Sequence, residues 1–122
     1  MSLSETDQIW NRAAMDNGGS SPSQGDRALS ALLLLHGMVM NGGVEHATES
    51  LSPDEFTAGI EGFRYFGFTE VSKLLGSAVT ADETEFDQLD QQYWNHIPSD
   101  STIVHAFESQ LHSSPQSFSP LK

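Results

Sequence analysis

The sequence predicts an all-α fold, a single compact bundle of about five to six short helices followed by a flexible C-terminal tail. Three observations predict it. Val71, Leu74, Leu75, Ala78 and Val79 fall at i, i+3, i+4, i+7 and i+8, the spacing that gathers apolar side chains on one face of a helix. Ser52-Pro53-Asp54-Glu55 is a full helix-start signal, with serine as the cap, proline at the first helical position and glutamate at the third. No segment alternates apolar and polar residues as a half-buried strand does.

The elements follow in chain order. Residues 4–15 read as a short helix capped by Ser4, with Ile9, Trp10, Ala13 and Ala14 on its apolar side. Asp16 to Asp26 is rich in Gly, Ser and Pro and reads as a loop. Ala28 to Met40 is apolar almost all round, the mark of a helix buried on most of its faces, with Asp26 as the expected N-cap. Asn41-Gly42-Gly43 should close it, because Gly and Asn tolerate the left-handed conformation that ends helices. A short turn or helix, Val44 to Ser50, follows.

The helix opened by Ser52 carries Phe56, Ile60 and Phe63 inward and runs up to Gly67. Thr69 is the expected cap of the next helix, which bears the Val71–Val79 stripe. Thr80 and Glu83 form a possible capping box for a helix with Phe86, Leu89, Tyr93 and Ile97 on its inner side, stopped by Pro98. Ser99 or Asp100 opens a last helix with Ile103, Val104, Phe107 and Leu111 inward. Residues 1–112 thus form one helical domain. Residues 113–122, with four serines and two prolines, have little to bury and are expected to be disordered.

Composition narrows the function. Without cysteine the chain has no disulfide, no thiolate metal site and no cysteine nucleophile. The apolar run of residues 28–40 is about half a membrane span, and residues 1–27 contain no apolar run, so the expectation is a cytoplasmic protein without membrane contact. Seventeen acids against five bases give a net charge of −12, and from Leu74 to Leu121 there are seven acids and no Lys or Arg. Such a field repels nucleic acid and anionic membrane and attracts basic proteins.

Motifs for catalysis are missing: there is no phosphate-binding loop, nucleophile elbow or His-Glu-x-x-His pair. The reading is a non-enzyme that needs no cofactor. His105, Glu108 and His112 share a helical spacing but read as a solvated face, so no metal site is assigned. His36, inside the apolar helix, reads as a hydrogen-bonded core histidine. The second functional reading is a small-molecule or metal-binding domain with a pocket near His36, the Asn41-Gly42-Gly43 turn and His46.

The acidic segment is the more informative. Asp82, Glu83, Glu85, Asp87 and Asp90 crowd into nine residues. On a continuous helix Glu83, Asp87 and Asp90 fall within about 60° of one another and span roughly 10 Å, with Trp94 continuing the line. Like charges at this spacing cost helix stability, so the stripe serves something else. A row of carboxylates approximates the phosphate field of duplex DNA. Asp82, Glu83, Glu85, Asp87, Asp90 and Trp94 are therefore the candidate partner-binding residues.

Residues 28 to about 96 also resemble the bacterial DNA-mimic protein family of the Neisserial type. The resemblance rests on an apolar helix running into Asn41-Gly42-Gly43, on Phe63-Arg64-Tyr65-Phe66-Gly67-Phe68 leading into Val71–Ala78, and on Leu89-Asp90-Gln91-Gln92-Tyr93-Trp94. Val44 stands where the family usually carries an aromatic. The resemblance implies an all-helical fold, an acidic surface, dimerisation, and occupation of the DNA-binding face of a basic transcription factor.

Overall fold

A computed structural model describes residues 4–121; residues 1–3 and 122, which the expected domain and tail boundaries include, lie outside the described residues. Six α-helices follow one another: α1 (Glu5–Met15), α2 (Gln24–Ser50), α3 (Pro53–Tyr65), α4 (Thr69–Ala78), α5 (Phe86–His96) and α6 (Asp100–Ser113), and among the described residues there is no strand. α2 is the central element, and α1, α3, α4 and α5 all pack against it. Leu29, Leu32, Leu35, Val39, Val44 and Ala47 are its buried side and meet Phe63, Leu75, Tyr93, Ile103 and Phe107 from the surrounding helices.

Local chemistry explains most boundaries. Ser4 accepts from the Asp7 N–H, and Ser52 and Glu55 form the reciprocal capping box their spacing predicts. The end of α3 is a Schellman closure: the Phe68 N–H donates to the Phe63 carbonyl, the Gly67 N–H to that of Arg64, and the Phe63 and Phe68 rings meet edge to face at 5.9 Å.

Several expected boundaries move. α2 begins at Gln24 with Ser23 as its cap, and Asp26 is the third-position partner of that box rather than the cap. The apolar run therefore belongs to a 27-residue helical element, by length and composition alone enough to cross a bilayer, though here its apolar side is the core of the bundle. Asn41 and Gly42 stay helical, and only Gly43 breaks the path, with φ 91° and ψ 178°. That conformation suits glycine, and a second helical stretch resumes at Val44. α4 is preceded by Phe68, not capped by Thr69, and α5 starts three residues beyond the Thr80–Glu83 box.

The expectation of a disordered tail fails. Pro115–Ser117 forms one 3-10 turn, and Phe118 is 5% exposed, its ring 5.6 Å from that of Phe107. Behind it lies Asp26, fully buried. Its Oδ1 accepts from Arg12 at 2.8 Å, and its Oδ2 accepts from the Ser23 and Ser119 N–H groups at 3.0 and 2.7 Å. One aromatic side chain and a buried carboxylate suffice to dock a segment whose composition reads as solvated.

A network buried at Tyr93 and His36 and reaching the surface at Asp100 joins α2, α5 and α6. The Tyr93 hydroxyl lies 2.6 Å from His36 Nδ1, and His36 Nε2 lies 2.8 Å from Asp100 Oδ1. Burial, and secondarily the charge of Asp100, pushes the Tyr93 phenol well above its ordinary pKa. The phenol therefore stays protonated and donates to Nδ1, which leaves the Nε2–H to donate to Asp100. This bears out the reading of His36 as a hydrogen-bonded core histidine.

The network carries a pH signature. In the unfolded chain the Tyr93 phenol ionises near pH 10, whereas in the folded chain it holds its proton, so the contribution of this group to stability is intact below pH 10 and is lost above it. Tyr93→Phe is expected to cost about 1–3 kcal/mol at neutral pH by leaving Nδ1 unpaired. It should also remove about 1.4 kcal/mol of the stability loss between pH 9 and 11. Urea unfolding of both proteins across that range checks the two effects; equal pH slopes would refute the assignment.

Candidate functional site

The acidic segment connects α4 to α5. Residues 83–85 form a turn, not the first turn of a helix. Asp82 Oδ1 accepts from both the N–H and the hydroxyl of Thr84, at 2.9 and 2.6 Å, and the Glu85 carboxylate accepts from the Asp82 N–H at 3.2 Å. The Thr84 hydroxyl, then its N–H, hold Asp82 below its ordinary carboxylate pKa, so it stays charged. This local bonding outcompetes the Thr80–Glu83 box and delays α5 to Phe86.

The delay dismantles the predicted helical stripe. Glu83 lies outside α5, while Asp87 sits in its first turn. Asp90 turns inward: it is half-buried, and its Oδ1 accepts from the Val44 N–H at 2.7 Å. A Cβ on Gly43 would stand 3.1 Å from the Asp90 carboxylate. The structure thereby joins two features that the sequence presents separately, the Asn41-Gly42-Gly43 motif and the Leu89–Trp94 element. Asp90 caps the helical stretch after Gly43 from another helix. A cap of this kind contributes about 1 kcal/mol, and the helix N-terminus favours the negative charge.

The remaining candidates face solvent. Asp82, Glu83, Glu85 and Asp87 are exposed, and Trp94 is 40% exposed, its ring edge-on to Tyr93. Across the chain fifteen of the seventeen acids are exposed, all but Asp26 and Asp90. Of these only Glu61, Glu70 and Asp100 have a cationic or histidine partner within 4 Å among the described residues. The four carboxylates of residues 82–87 have none, which follows from the lack of any Lys or Arg between Leu74 and Leu121.

The alternative pocket at the motif turn is not favoured. Asn41 and Gly42 are exposed, the His46 ring packs against Gly42, where an added Cβ would lie 2.6 Å from it, and Asp90 fills the space beside Gly43. Among the described residues no three His, Asp or Glu side chains come together as a metal-binding group. His105, Glu108 and His112 are exposed along α6.

Two clusters escaped sequence reasoning. The Arg12–Asp26–Ser119 cluster joins residues from both ends of the chain, and the Tyr93–His36–Asp100 network joins three helices. Only the placement of polar residues inside apolar stretches, as with His36, signals either of them.

Against known proteins, a family model described as DMP19-like protein matches residues 20–115. No curated protein and no solved structure matches the chain. The family match contains α2 to α6, including the Gly43–Asp90 junction and the whole acidic segment. The chain therefore belongs to the DMP19-like protein family, the DNA-mimic family whose motifs its sequence resembles.

Proposed function

We propose that this protein is an acidic interaction module that occupies the DNA-binding face of a basic regulator, as a DNA mimic does. The observation that carries the reading is the set of exposed carboxylates at Asp82, Glu83, Glu85 and Asp87, with no cation among the described residues within 4 Å. The cost of taking these charges out of water is offset when they meet guanidinium and ammonium groups placed to hold phosphates. Asp82 and Glu85 are held by turn hydrogen bonds, so part of the array is ordered before a partner arrives. Trp94 adds an apolar contact at the edge. Asp90 acts from below by anchoring α5 to the Gly43 turn, a positioning role rather than a contact.

In this reading the protein works in the cytoplasm, by binding rather than by catalysis, as a dimer, and without touching nucleic acid or membrane itself. The test is charge reversal. Glu83→Lys, Glu85→Lys and Asp87→Lys together should weaken binding to the basic partner on the order of a hundredfold or more, since like charges across an interface cost several kcal/mol. Helical content measured by circular dichroism should fall by no more than the first turn of α5, because all three side chains are exposed and the reversals cost only the Asp82 N–H bond to Glu85 and the favourable charge of Asp87 at that helix start. Unchanged affinity in the triple variant refutes the assignment.

A further inference from the structure

The segment after α6 is held in the manner of a bound peptide. Of residues 115–121 only Phe118 is buried. Its ring lies against Gly25 in the first turn of α2, where a Cβ would come within 2.8 Å of both that ring and the Ser117 carbonyl oxygen. The ring also meets that of Phe107 in α6, 5.6 Å away.

Beyond the ring, the groups that are bonded are main chain and one hydroxyl. The Ser119 N–H donates to Asp26 Oδ2 at 2.7 Å, and the Ser119 and Pro120 carbonyls accept from Arg12 at 2.9 and 3.4 Å. The Ser119 hydroxyl donates to the Ser21 carbonyl at 2.5 Å and lies 2.9 Å from the Ser23 hydroxyl. Phe118 itself is extended, with φ −118° and ψ 136°. One side chain in a pocket and an extended backbone bonded through N–H and C=O is how proteins read short peptides.

The receiving side holds its shape without the segment. Asp26 is fully buried, and two of its three bonds come from Ser23 and Arg12. Cavities of about 390 and 460 Å³ adjoin Ser119, Pro120 and Leu121, so the segment lies in a channel wider than itself. Ser21, Ser23, Gly25, Asp26 and Phe107 fall inside the family match, whereas residues 116–121 lie outside it.

We infer that α1, the first turn of α2 and α6 form a peptide-recognition site, and that residues 118–120 are its resident, replaceable occupant. The ligand class is an extended segment with an aromatic ring, then a residue offering an N–H and a hydroxyl, then proline. The resident copy keeps the site through its tether, which gives it an effective concentration in roughly the millimolar range. A second copy of the chain offers the same segment without that advantage. The ligand from outside is therefore a segment of another protein, with flanking side chains that fill the adjoining cavities. The site shares no residue with the acidic segment, and its existence does not depend on the mimic reading.

A labelled peptide of residues 113–121, followed by fluorescence anisotropy on the full chain, tests the site. It should bind Phe118→Ala on the order of tenfold or more tightly than the parent, whose own segment competes. Phe118→Ala in the peptide, or Ser119→Pro, which removes the N–H that Asp26 accepts, should each weaken binding on the order of tenfold or more. Gly25→Ala closes the site: its methyl group takes the place of the ring, so this variant frees the resident segment and does not bind the peptide. Hydrogen exchange on the parent needs no variant to fold. There the Ser119 N–H should open about a hundredfold or more as often as the Leu35 N–H in the core of α2. Equal binding to the parent and Phe118→Ala, binding by Gly25→Ala, indifference to both peptide changes, or exchange of Ser119 only with global unfolding would overturn the inference. Dimers dispersed by Phe118→Ala would overturn the assigned source, because a second copy's segment would then fill the site.

Discussion

Asp26→Ala is expected to destabilise the protein by about 3–5 kcal/mol and to release the C-terminal segment. Asp26 is fully buried, and its two oxygens accept three hydrogen bonds, from Arg12, the Ser23 N–H and the Ser119 N–H. Removing the carboxylate leaves a half-buried guanidinium facing no charge and two N–H donors without acceptors, each a cost in its own right. Arg12 also donates to the Ser119 and Pro120 carbonyls, so the same loss unties residues 118–121 from α1. Thermal unfolding should show a fall in Tm of the order of 10 °C or more. Chymotrypsin should cut after Phe118 far faster than in the parent protein. The control is Asp16→Ala, where the residue is exposed and without an ion pair; a similar small loss, under about 1 kcal/mol, for both variants would contradict the assigned role.

Gly62→Ala should cost about 3 kcal/mol although helix propensity alone predicts a gain of about 1 kcal/mol. α3 crosses α2 closely at this residue: a Cβ on Gly62 would collide with the Ala28 carbonyl oxygen and stand 3.1 Å from the Leu32 N and Cβ. The obstacle is main chain in the central helix, which cannot turn aside as a flexible side chain can. Gly76→Ala in α4 is the matched control, since nothing lies within 4 Å of its Cβ position. There the propensity term acts alone, and a gain of about 0.5–1 kcal/mol is expected. Denaturant unfolding of the two variants should therefore move the midpoint in opposite directions. Movement in the same direction would show that close packing of α2 on α3 does not set the stability of this pair.

The sequence makes the helices legible where one local rule acts without competition. Ser52-Pro53-Asp54-Glu55 caps α3 as its spacing requires, and the Val71–Ala78 stripe is the buried side of α4. Asn41-Gly42-Gly43 marks the break in α2, though only Gly43 adopts the special conformation. Legibility fails where local signals compete or where distant partners decide. Two overlapping starts, Thr80–Glu83 and Asp82–Glu85, contend for the entrance to α5; hydrogen bonds from Thr84 to the Asp82 carboxylate and from the Asp82 N–H to Glu85 settle it as a turn. The five-residue shift of the helix start, from Ala81 to Phe86, removes Glu83 from the helix, and Asp90 turns in to the α2 backbone.

The buried role of Asp26 depends on Arg12 and Ser119, the latter 93 residues away, and no periodicity encodes that. The tail is misread because its composition is polar. A single Phe118 with a place beside Phe107 outweighs the serines around it. The acidic surface is legible directly from the sequence, because charged side chains with no counterion along the chain have little reason to leave water.

In the proposed function the carboxylates of residues 82–87 stand in for DNA phosphates. The most direct measurement is capture of the basic partner on the immobilised protein, followed by elution with duplex DNA and, separately, with raised salt. The expected result is a DNA-binding protein that is displaced by duplex DNA and whose affinity falls steeply with salt concentration, as interactions built on phosphate-reading cations do. A partner that binds DNA and this protein at the same time, or that stays bound regardless of DNA and salt, would contradict it.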